Sequence, residues 1–181
     1  MTPPTSPLRI VSALSAGLLA LGMLAACTPE PQPAPAPTQT PLFATDEEAF
    51  AAAEETYSRY IAALNDTDLS DPETFEPVYA WLTGTAQGAE KESLSAYHAE
   101  KLRRSGNTDF DTFTPLSRTE DEVTANLCLD VSEVDLVDED GGSVLQTDRA
   151  TRRALKVTFV PGMTTTGLRI SSNHKPETFT C

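Results

Sequence analysis

The chain predicts an α+β fold, with three helices packed on a curved antiparallel sheet, after a secretory leader and a proline-rich spacer. Three observations carry this. Apolar residues recur at spacings of three and four as far as Arg104, the period drops to two beyond Gly106, and the first forty-odd residues show a leader and a run of prolines in place of a core pattern.

The leader is the apolar stretch Ile10–Met23, preceded by the single charge Arg9 and closed by Leu24-Ala25-Ala26-Cys27. It has the basic start, short apolar centre and small-residue exit of a secretory signal. Ser12, Ser15, Gly17 and Gly22 interrupt it, which suits a cleaved segment better than an uncleaved span. From Thr28 to Leu42, six of fifteen residues are proline. Proline denies the backbone its hydrogen-bond ladder and favours an extended path of about 3.1 Å per residue, so this spacer reaches roughly 45 Å. Its Ala-Pro alternation lacks the aromatic or basic neighbours of a docking motif for proline-binding modules. The chain therefore divides into a signal peptide over 1–26, a linker over 27–42 that begins at Cys27, and a folded domain over 43–181, of ordinary single-domain size.

Within that domain, Thr45-Asp46-Glu47-Glu48 reads as a capping box opening a helix to about Leu64. Phe50, Ala53, Tyr57, Tyr60, Ile61 and Leu64 share its apolar face. Asp71-Pro72 opens a short second helix through Phe75, Val78, Tyr79 and Leu82, which Pro77 kinks or shortens and Gly84 ends. Thr85 then caps a third helix over about Ala86–Arg104, ended by Gly106, with Lys101, Arg103 and Arg104 at the negative end of its dipole.

In the second half, Val123, Ala125, Leu127, Leu129 and Val131 alternate with Thr124, Asn126, Cys128 and Asp130, the pattern of a strand with one buried and one wet face. Further extended segments are expected over Phe110–Leu116, Val134–Val137, Leu155–Val160 and Gly167–Ser172, with a hairpin loop at Asp138–Ser143 and a turn at Pro161-Gly162.

Loss of residues 1–26 removes one of the 13 Lys and Arg residues, Arg9, and none of the 27 Asp and Glu, taking the formal charge from −14 to −15. Such a surface repels phosphate backbones and argues against nucleic-acid partners. Cys128 and Cys181 remain as an even pair in an oxidising compartment, which predicts a disulfide. His98 and His174 have no HExxH or CxxC context, and the acids around Gly141 miss the calcium-loop register, so no metal or cofactor is expected. GxSxG, GxxxxGK and GxGxxG motifs are absent. Arg149, Arg152, Arg153 and Lys156 form a local basic cluster, open to anionic wall polymers or lipid heads but better suited to pairing with the many acids.

The tetrad Leu24-Ala25-Ala26-Cys27 resembles the bacterial lipobox. That resemblance implies a diacylglyceryl thioether on Cys27, which becomes residue one at the outer face of the cell membrane. Leu69–Tyr79 (LSDPETFEPVY) and Val123–Ser132 (VTANLCLDVS) resemble lipoproteins of high-GC Gram-positive bacteria. The order of elements, with an acid-capped first helix carrying paired tyrosines, is similar to the nuclear transport factor 2-like superfamily. This implies a cone-shaped fold shared with ketosteroid isomerases and polyketide cyclases, and a homodimer through the outer sheet face as a candidate assembly.

Two functions from different classes follow from the resemblance. One is a non-catalytic, membrane-anchored binding or accessory domain of the cell envelope, offering its cavity to a small apolar ligand or its surface to an envelope protein. The other is an isomerase- or cyclase-like enzyme, with Tyr57 or Tyr60 supplying a phenol and Asp130 a carboxylate. Asp130 alternates with the apolar set and so faces away from the cavity. The expectation is therefore a cavity lined by Tyr57, Tyr60, Ile61, Tyr97, Leu127 and Leu129, with Trp81 at its mouth and no buried acid–base pair.

Overall fold

Thr45 starts the first helix, α1 (Asp46–Asn65), as the sequence predicts: its hydroxyl accepts from the Glu48 amide at 3.2 Å. The Glu48 carboxylate accepts from the amide of Ala44 at 2.9 Å, one residue before the cap. The computed structural model describes residues 41–181. The signal segment, Cys27 and the linker up to Thr40 lie outside the described residues, and among those described no helix is long and apolar enough to cross a membrane. Residues 41–181 form a compact unit with its own core.

The second helical segment is a 3₁₀ turn (Pro72–Phe75), capped by the Asp71 carboxylate accepting from Glu73 N at 3.0 Å, followed by the single turn α2 (Glu76–Tyr79). Here Pro77 shortens the helix instead of kinking it. Helix α3 spans Gly84–Ala99, so Gly84 opens it and does not end the previous one. Gly84 sits at φ +54°, where a Cβ would stand 3.0 Å from the Ser171 carbonyl oxygen. The residue before the helix is Thr83, and the Thr85 hydroxyl reaches instead to the Ser171 carbonyl at 3.2 Å.

The third helix stops five residues earlier than the sequence predicts. Lys101 takes the left-handed conformation at φ 55°, while Leu102 N donates to Tyr97 O and Lys101 N to His98 O, each at 3.0 Å. This is a Schellman closure built on lysine, with buried Leu102 as its apolar contact. The chain then runs into β1 (Arg103–Ser105), which pairs antiparallel with β4 (Asp135–Val137) in a two-stranded sheet.

The main sheet has the order β2-β3-β5-β6, all antiparallel, from β2 (Asp109–Arg118), β3 (Val123–Asp130), β5 (Arg152–Pro161) and β6 (Leu168–His174). Helix α1 lies across β2, β3 and β6, and α3 packs on β6. Tyr57, Val78, Leu82, Leu127, Phe159 and Ile170 meet in the core. Both long edges are blunted: β2 carries two register irregularities and Pro115, and β6 is met by a parallel bridge between Leu82 and Ile170.

Strand β3 departs from the expected single wet face, because Thr124, Asn126 and Cys128 are buried along with the alternate apolar set. Thr124 pairs with the Ser117 hydroxyl at 2.7 Å. Cys128 is disulfide-bonded to Cys181, with Cα atoms 5.7 Å apart, so the segment after His174 returns across β5 to reach β3.

Candidate functional site

The inner face of α1 sets Tyr57 and Tyr60 one turn apart, their rings edge to face at 5.6 Å, and Tyr57 meets Phe110 of β2 at 4.9 Å. Helix α3 brings Glu90, Leu94 and Tyr97 to the same space. Strands and loops complete it with Leu129 of β3, Leu136 of β4, Arg153 and Leu155 of β5 and Asn173 of β6. This open-mouthed cavity has a volume of about 510 Å³, within the usual range for ligand pockets of about 300–1,000 Å³. Leucine and valine supply nine of its twenty lining residues.

The polar groups gather at a few points. The Tyr60 hydroxyl donates to Glu90 Oε2 at 3.0 Å. Burial holds the Glu90 carboxyl above its ordinary value, while the Tyr60 bond and the Arg104 charge act in the opposite direction. Burial, and then the Glu90 charge, push both phenols up, Tyr60 well above the usual tyrosine value. Such phenols donate hydrogen bonds and do not exchange protons near neutrality. On β6, the Asn173 Oδ1 is buried with no hydrogen-bond partner among the described residues.

Arg104 fixes one wall. Its guanidinium donates to Leu64 O at 2.7 Å, capping the negative end of α1, and to Asn65 Oδ1 at 2.7 Å and Thr108 Oγ1 at 3.2 Å. Asn65 closes the network by donating to Thr108 O and accepting from Thr108 N, each at 2.9 Å. On the opposite rim, Arg149 donates to the carbonyls of Val131 at 2.9 Å and Val134 at 2.6 Å.

Of the residues the sequence nominated, Tyr57, Tyr60, Tyr97 and Leu129 line this cavity. Leu127 does not, since it is fully buried in the core beneath it. Ile61 turns its accessible edge to a separate groove of about 500 Å³, shared with Asp109, Asp130 and Glu133. Trp81 lies elsewhere, in a shallow hollow with Pro77 and the 95% exposed Met163. The expectation of a cavity without an acid is corrected by Glu90, which stands beside Tyr60. A signal for it exists in the sequence: Ala86, Glu90, Leu94 and Tyr97 follow spacings of four, four and three, one helical face.

Asp130 accepts from Arg152 at 2.8 Å, and Asp111 takes the other side of the same guanidinium at 2.8 Å. The Ser132 hydrogen bonds and Arg152 hold the Asp130 carboxyl below its ordinary value, as befits a structural ion pair. The His98 ring is hydrogen-bonded to the Leu69 carbonyl at 2.8 Å, and Asp138 Oδ1 accepts from the amides of Asp140 and Gly142 within its own turn. Among the described residues, no three His, Cys, Asp or Glu side chains converge as a metal centre.

No protein-family model matches the sequence, and no curated protein matches it. Solved structures similar to it include a protein from Catenulispora acidiphila in complex with S-DNPA, with a TM-score of 0.47 and 14% identity over 71% of this chain and 92% of that one. Aln2 from a Streptomyces species has a TM-score of 0.43 and 11% identity over 71% and 90% of the two chains. VirB8 of Agrobacterium tumefaciens has a TM-score of 0.39 and 10% identity over 76% and 97%. The chemistry is therefore argued from the cavity itself.

Proposed function

We propose that this chain is a lipid-anchored protein of the cell envelope, tethered through Cys27, whose folded domain binds a small amphipathic molecule. One observation carries the reading: a cavity of about 510 Å³ with leucine-rich walls that contains a partly buried hydrogen-bonded pair, Tyr60 and Glu90. Apolar walls supply affinity through surface removed from water, and a few fixed polar groups supply orientation. The Asn173 Oδ1, which has no partner within the described protein, suits a hydroxyl or amide donor on the occupant.

The test is native mass spectrometry of the full chain purified in mild detergent from the envelope fraction of its own host. The expected result is a retained small molecule, lost when Leu155→Trp fills the cavity. The bare protein mass alone, from gently handled material, contradicts the reading.

A second reading is favoured by the same pair. A carboxyl with raised proton affinity next to a phenol is the arrangement of an acid–base site acting on a ketone, the chemistry for which ketosteroid isomerase serves as a general example. Turnover of a β,γ-unsaturated ketone that Glu90→Gln abolishes would establish it. Binding is the better-supported reading, because Glu90 is the only carboxylate among the described residues lining the cavity.

A further inference from the structure

The described ion pairs of this strongly acidic chain use Arg59, Lys101, Arg118 and Arg152. None uses Arg104, Arg149 or Arg153, yet these three line the same cavity. Arg104 is hydrogen-bonded to the Leu64 carbonyl and to the neutral side-chain oxygens of Asn65 and Thr108, and Arg149 to the carbonyls of Val131 and Val134, partners that position a guanidinium without neutralising it. Arg153 pairs with Leu129 across β3 and β5 and keeps the phase of Leu155 and Val157, so its Cβ points to the helix-facing side. There, at the exposed end of the strand, it has no ion-pair partner among the described residues. Three cations against the single carboxyl of Glu90 make a positive cavity in a protein of net charge −14.

We propose that the ligand is an amphipathic anion, with its apolar body against Leu94, Leu129 and Leu155 and its acidic group facing Arg153 and Arg149 at the rim. This rests on the reading of the cavity as a ligand site and adds the sign of the ligand's charge. In a partly desolvated mouth, an uncompensated guanidinium attracts a carboxylate or sulfonate far more strongly than it would in water. The surrounding negative surface rejects the same anion elsewhere, so the cavity is where such a molecule is held.

The test compares two fluorescent probes with the same aromatic body, 8-anilinonaphthalene-1-sulfonate and its neutral counterpart N-phenyl-1-naphthylamine, titrated into the disulfide-bonded 39–181 domain. Arg153→Glu is expected to weaken the sulfonate by about tenfold or more, a change equivalent to about 1.4 kcal/mol. Arg153→Lys, which keeps the charge, is expected to hold it within about threefold, and the neutral probe to be insensitive to both changes. Equal loss of both probes in Arg153→Glu, or sulfonate binding indifferent to it, overturns the anionic ligand while leaving a binding cavity in place. Failure of both probes to bind the native domain overturns the cavity reading as well.

Discussion

The hydroxyl of Tyr60 on α1 donates to the carboxylate of Glu90 on α3 across 3.0 Å, and this contact joins two helices inside the cavity. Tyr60 is buried and Glu90 half-buried there, so the phenol depends on the carboxylate for satisfaction. A buried polar group left alone costs about 1–3 kcal/mol. The pair therefore both shapes the cavity and supplies its most distinctive chemical feature.

Glu90→Gln is expected to stabilise the domain at neutral pH. The folded carboxyl has a raised proton affinity, so its favourable contribution is fully present below the ordinary value of 4.5 and is lost as pH rises through the higher folded value. Glutamine keeps an acceptor for Tyr60 and removes the buried charge. Thermal unfolding should show the variant a few degrees above the native domain at pH 7 and level with it at pH 4. A variant less stable at pH 7 would show that the charge is compensated in place.

Asn65→Ala should cost about 2–3 kcal/mol, since it removes an acceptor from the buried Thr108 amide and from Arg104 together. Urea unfolding measures this directly. A loss under about 0.5 kcal/mol would mean that water replaces the amide without cost.

The Cys128–Cys181 bond spans 53 residues of sequence separation, and such a cross-link is worth about 4 kcal/mol in the chain-entropy model. Cys181→Ser should lower stability by that order and expose the outer face of β3 to faster amide exchange. Exchange at Asn126 and Cys128 unchanged from the native domain would show that the tail is held by other contacts.

Cys27→Ser in the full chain should release the protein into the medium or leave an uncleaved precursor, while the native chain partitions into detergent. Two acyl chains anchor a protein stably where one does so only marginally. Native protein found wholly in the aqueous phase would remove the lipid anchor from the account.

Local signals explain what was legible in the sequence. The Thr45–Glu48 cap, the Asp71-Pro72 start and the switch of period after Gly106 all act through near neighbours, and the first two helical segments and the four strands of the main sheet lie where those signals place them, while β1 comes before Gly106. The end of α3 was less legible because its left-handed residue is Lys101, where glycine would be the expected sign. Gly106, predicted as the stop, serves a different contact: at φ +72° a Cβ there would overlap the Glu133 carbonyl oxygen.

Tertiary arrangements account for the rest. Cys128 reads as wet because nothing local reveals its bond to Cys181, and Thr124 because its Ser117 partner lies on the neighbouring strand. The basic cluster from Arg149 to Lys156 reads as one surface, whereas the fold divides it, sending Arg152 to Asp111 and Asp130 and the side chains of Arg149 and Arg153 to the cavity. Glu90 is the exception, since its phase with the buried Ala86 and Leu94 is visible in the sequence.

A crystal structure of the folded domain, cleaved in the linker from the native envelope protein and given no added ligand, tests the ligand site most directly. Continuous density for a small molecule is expected in the cavity, with its apolar part against Leu94 and Leu155 and a polar group within hydrogen-bonding reach of Asn173 or the arginines at the rim. A cavity holding only ordered water, or closed by movement of Tyr97 onto Leu145, would contradict that expectation.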